Sequence, residues 1–114
     1  MRFLMQYTPA KPVDGPPSPE MIAKMGDFMK ASVHSGVLVA TGMVVPSAAN
    51  GMRIKLANAN FEMEAGSPAQ ARQGGWAILN VDSPEHLHEV AHKFLEVAGD
   101  GDVRVLEITQ VPIP

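Results

Sequence analysis

Residues 75–85 read Gly-Trp-Ala-Ile-Leu-Asn-Val-Asp-Ser-Pro-Glu. Trp76 and Ile78 at one parity and Ala77, Leu79 and Val81 at the other predict a strand that is apolar on both faces. Ser83-Pro84-Glu85 then opens a helix. The hydroxyl caps it, the proline stands at the first helical position, and the carboxylate meets the positive end of the dipole. Leu87, Val90, Ala91, Phe94 and Leu95 form the helix's buried stripe, and Gly99 to Gly101 end it. A final strand follows in residues 102–111, DVRVLEITQV.

The same Ser-Pro-Glu start occurs at Ser18-Pro19-Glu20, so the half-chains echo each other. Before it lies an alternating strand, with Phe3, Met5 and Tyr7 against Arg2, Leu4 and Gln6, and then a loop broken by four prolines. The first helix is read with Met21, Ile22, Met25, Met29 and Val33 on its apolar face, Phe28 at the edge and Gly36 as its left-handed stop. Val37 to Val45 is the next strand, with Val37, Val39, Met43 and Val45 on one face and Leu38, Ala40 and Val44 on the other.

Between the halves, residues 52–64 (MRIKLANANFEME) fold onto themselves if the turn is centred between Asn58 and Ala59. That register sets Leu56 beside Phe61 and Ile54 beside Met63 on one face. Lys55 with Glu62 and Arg53 with Glu64 then pair on the other. With the hairpin set aside, the order is βαββαβ, an α+β ferredoxin-like plan in which two helices cover one face of an antiparallel sheet. The chain, residues 1–114, reads as a single domain. Its central strands are apolar on the uncovered face as well, which predicts a homodimer formed sheet to sheet.

Composition narrows the function. A charge of -3 leaves no basic footprint for nucleic acid, and the longest apolar run, VLVATGMVV, is half a membrane span. With no cysteine, thiolate chemistry and disulfides are excluded, and the expected setting is cytoplasmic. His88 and His92 stand at i and i+4 beside Glu85, but Glu89 and Glu96 share that side, which reads as a solvated face, so no metal is assigned. His34 reads as a helix C-terminal cation, and Asp100 and Asp102 as a turn. No nucleotide loop, nucleophile elbow or paired carboxylate is present, and no cofactor is implied.

The loop leading to Trp76 holds the remaining candidates. Trp76 is the sole tryptophan and Arg72 is the loop's strongly basic group, which read first as a core aromatic and a solvated charge, and otherwise as a pairing suited to a small anion or an aromatic acid.

Met25-Gly26 with Phe28, Gly36 to Leu38, Pro46-Ser47, Gly51 with Arg53 and Gly74-Gly75-Trp76 together resemble the YCII-related proteins of the DGPF type over nearly the whole chain. The resemblance implies a dimeric α+β barrel, two ferredoxin-like sheets packed face to face around a cleft. Some members of the wider family are small-molecule enzymes, including a dehydrochlorinase of an aromatic degradation pathway. This chain departs from the pattern at the chemistry. Glu64-Ala65-Gly66-Ser67-Pro68 stands where the family keeps Asp-Gly-Pro-Phe, and Gly42 and Val45 stand where relatives often carry Glu and His. Met25 falls about where the wider family has the His of its presumed His and Asp pair. Groups that move protons have been exchanged for groups that cannot.

The leading expectation is a homodimeric small-molecule binding protein with a cleft lined by Tyr7, Arg53, Arg72 and Trp76. One alternative is a lyase or isomerase on a small ring-derived metabolite, with Glu64 as base and Arg72 holding a carboxylate. Another is a dimerisation module without a ligand.

Overall fold

The computed structural model describes residues 1–11, 16–44, 52–65 and 74–113. Its elements run β1 (Arg2–Pro9), α1 (Pro19–His34), β2 (Leu38–Val44), β3 (Met52–Ala57), β4 (Asn60–Ala65), β5 (Gly74–Asn80), α2 (Pro84–Ala98) and β6 (Gly101–Ile108). Four strands form one antiparallel sheet in the order β2-β5-β1-β6, and β3 and β4 form a second, two-stranded sheet. This is the α+β, ferredoxin-like arrangement with an inserted hairpin.

Both helices begin as their sequences dictate. Met21 N donates to Ser18 Oγ at 3.1 Å, and His86 N donates to Ser83 Oγ at 3.1 Å, with a proline in the first turn of each helix. Each cap satisfies a backbone N–H that the helix itself leaves without a partner. At the far end of α1, Gly36 takes φ +80°, where a β-carbon would be strained.

The core lies between the sheet and the helices. Phe3 and Met5 of β1, Val37 before β2, Ala77 and Leu79 of β5, Val81, and Leu87 and Ala91 of α2 are buried there, with Val90, Phe94, Val103 and Val105 against them. The opposite face of the sheet carries Leu4, Ala40, Val44, Trp76, Ile78, Leu106 and Ile108 by strand register. Among the described elements, none packs on that face.

Two expectations are corrected. The ladder between β2 and β5 shifts between Leu38 and Ala40, so Leu38 lies across from Leu79 while Thr41 lies across from Ala77. An extra residue in one strand moves the following side chains to the other face. Leu38 thus joins Met43 on the helix side, and Ala40 and Val44 stay together on the open side. In α1, Met21, Met25, Phe28 and Ser32 turn inward, whereas Ile22 (57%), Met29 (37%) and Val33 (60%) remain exposed. The inward face is the one on which Phe28 meets Phe94 of α2, ring centroids 6.2 Å apart.

The hairpin keeps the expected register. Ile54 lies opposite Met63, Leu56 opposite Phe61, Lys55 opposite Glu62 and Arg53 opposite Glu64. Asn58 and Ala59 form the turn with φ of 52° and 65°, the mirror-image turn that suits the twist of two-residue hairpins. The opposed charges do not close into ion pairs. Among the described residues, contacts within 4 Å are Lys24 to Glu20 and Lys93 to Glu89, both along helices. Side chains held in water gain little from closer contact.

Candidate functional site

Tyr7 reaches the helix side of the sheet, across from Gly75 and Val103. Its ring meets Phe94 edge to face at 5.2 Å, and its hydroxyl donates toward the carbonyl oxygens of Gly99 (3.3 Å) and Asp100 (3.2 Å). The phenol is held above its ordinary value, first by burial and then by the negative charges of Asp100 and Asp102. Asp100 and Asp102, read from the sequence as turn residues, therefore also set the electrostatics of the tyrosine.

Beside Tyr7 lies an apolar cleft of about 70 Å³ between α1 and the sheet. Met5, Met25, Met29, Leu38 and Phe94 wall it, and Thr41 and Tyr7 supply the side-chain polar atoms. Neither hydroxyl proton is free. Thr41 Oγ1 donates to the Trp76 carbonyl oxygen at 2.8 Å, and the tyrosine proton is turned to the 99–100 main chain. The cleft is thus built to exclude water and hold something apolar, with thioether walls that can shift. Among the described residues, no carboxylate or imidazole lines it to move a proton.

Trp76 lies on the other face of the sheet, across from Gln6 and Gly42. A β-carbon at position 42 would fall 2.7 Å from the indole Cζ2 and 2.8 Å from Nε1. Gly42 is therefore the floor on which the indole rests. Trp76 still lines the cleft at Tyr7, although strand alternation sends the indole and the tyrosine ring to opposite faces of the sheet.

Arg53 and Glu64 stand opposite each other on the polar, exposed face of the β3–β4 hairpin. The hairpin touches no other described element, so neither residue reaches Tyr7 or Trp76 of the same chain. Arg72 lies outside the described residues. His34, Glu85, His88 and His92 are all exposed, and the described residues contain no cluster of three metal-ligating side chains. No described helix is long and apolar enough to cross a membrane.

Sequence reasoning named Tyr7 and Trp76 of the cleft's lining and missed Met25, Met29 and Thr41, which appear in the sequence as helix filler and a strand polar residue. The bulge in β2 adds Leu38 to the helix side, where Thr41 already lies by alternation with Met43.

No family model matches the chain, and no curated protein matches it. Solved structures do. The divalent cation tolerance protein CutA1 of Thermus thermophilus is 10% identical, covering 98% of this chain and 88% of that one at a TM-score of 0.47. The 5-chloro-2-hydroxyhydroquinone dehydrochlorinase of Burkholderia phenoliruptrix AC1100, solved with 2,5-dihydroxybenzoquinone, is 14% identical over 97% and 96%, also at 0.47. A DUF3240 family protein of Shewanella baltica OS155 is 7% identical over 99% and 94%, at 0.42. These are likenesses of chain path.

Proposed function

We propose that the protein is a homodimeric binding protein for a small, largely apolar molecule, of the YCII-related DGPF type, working without that family's usual acid and base. The observation that carries the reading is the cleft at Tyr7, which is apolar, walled by methionine and, among the described residues, devoid of a free proton donor or base. Such a place binds better than it reacts. At about 70 Å³ the cleft is smaller than the roughly 150 Å³ space that accepts benzene, so a ring enters as Met25 and Met29 swing aside. We assign Arg72, two residues before β5 in sequence, to an acidic group on that ligand.

Dimerisation is proposed through the open face of the sheet, where Leu4, Trp76, Ile78 and Leu106 form an apolar surface that a lone chain leaves in water. The lyase or isomerase alternative needs Glu64 beside the ligand, and nothing in the position of Glu64 favours it.

A thermal-shift panel of monocyclic aromatic acids and lactones tests the binding. A ligand at a hundred times its Kd should stabilise the fold by about 2.7 kcal/mol. The shift should vanish in Met25→Trp, which fills the cleft, and shrink in Arg72→Ala. A shift that survives Met25→Trp unchanged puts the ligand elsewhere and removes the proposal.

A further inference from the structure

The β3–β4 hairpin has a complete apolar face with no described element against it. Met52 (64% exposed), Ile54 (64%), Leu56 (60%), Phe61 (77%) and Met63 (70%) share that face. A two-stranded hairpin standing alone in water is marginal at best, so this one needs a cover. The chain also spreads to a radius of gyration of 16.6 Å, against about 13 Å for a compact domain of this size.

A second uncovered apolar surface lies on the flank of the main domain. The outer stripe of α1, Ile22, Met29 and Val33, is exposed; Met29 meets Leu38 and Thr41 at the cleft, and α1 packs on β2, the edge strand of the sheet. There Val39 and Met43 are 46% and 69% exposed. Long apolar edge strands invite pairing or cover from another chain.

We propose that the hairpin is an exchanged arm: its apolar face docks on the α1–β2 flank of a second copy of this chain, reciprocally. Val44 and Gly74 are paired at the end of the sheet, so the chain leaves for the arm and returns from it at one point. Burying each large apolar side chain removes roughly 60–120 Å² from water, so five per arm and five per flank, in two copies, bring over 1,200 Å² under cover. That is the scale of a stable interface. The polar arm face, Arg53, Lys55, Glu62 and Glu64, stays in water. Met29 belongs both to the flank and to the cleft wall, so the partner's arm closes the cleft proposed above as the ligand site. This inference rests on the dimer of that reading.

The absence of native cysteine makes the test clean. Differently tagged chains carrying Met63→Cys on the arm and Met43→Cys on the flank are mixed, allowed to exchange and oxidised, and the full chain's mass is followed by sedimentation. The expected result is a covalent mixed dimer, together with a dimer Kd raised at least tenfold in Phe61→Glu. A dimer that persists without the cross-link, and is unaffected by Phe61→Glu but broken by Leu106→Glu on the open face, overturns the arm and leaves the sheet dimer standing. A wild-type monomer at micromolar concentration overturns both. A disulfide formed within one chain carrying both cysteines, in a monomer, shows that the arm covers its own flank and likewise ends the proposal.

Discussion

The indole of Trp76 occupies the space that a side chain at Gly42 would need, with Cζ2 2.7 Å from the position of its missing β-carbon. A glutamate at position 42 must either displace the ring or bend the edge strand. Gly42→Glu should therefore cost about 1–3 kcal/mol, as overpacking does. Urea unfolding followed by circular dichroism measures it, and an unchanged midpoint would show that the ring moves freely.

Ala59 holds φ +65° at the hairpin tip, a conformation glycine adopts without strain. Ala59→Gly should stabilise the arm by about 1 kcal/mol. Amide exchange at Leu56 and Phe61, one pair in from the turn on the paired strands, should slow about fivefold, while exchange at Leu79 in the main sheet stays as it was.

The Tyr7 phenol has a value raised above 10.0, so the folded chain holds this proton more firmly than the unfolded chain does. Its stabilising contribution is complete below pH 10.0 and is lost as pH rises through the folded value. Tyr7→Phe should flatten this alkaline loss while lowering neutral-pH stability by about 0.5–1.5 kcal/mol through the lost hydroxyl contacts. Denaturation midpoints across pH 8 to 11 compare the two, and identical alkaline slopes would remove Tyr7 as their source.

Ser83 caps α2, the helix that supplies Leu87 and Ala91 to the core. Ser83→Ala should cost about 1 kcal/mol. Ser18→Ala should cost a similar amount locally, but less globally, because α1 buries no residue completely. Thermal midpoints of the two variants should rank in that order.

The elements were legible because their signals are local. Ser18 and Ser83 mark helix starts by what a hydroxyl does for the first turn, and the hairpin register follows from opposing Ile54 to Met63 and Lys55 to Glu62. The rotation of α1 was not legible, since Phe28 faces Phe94, a partner far along the chain that the helix's own periodicity does not reveal. The candidate site was legible in part: Tyr7 and Trp76 both line the cleft, but antiparallel register sets Tyr7 against Gly75 and sends the indole to the reverse face. The bulge in β2 then turns Leu38 into the cleft wall, a shift that strand alternation does not announce.

Because the chain has one tryptophan and one tyrosine, and the sheet stands between them, it carries a separate optical reporter on each side. Indole emission senses what comes against the open face; phenol absorption senses what enters from the helices. Recorded together in one titration, the two signals distinguish self-association from ligand uptake without any added label.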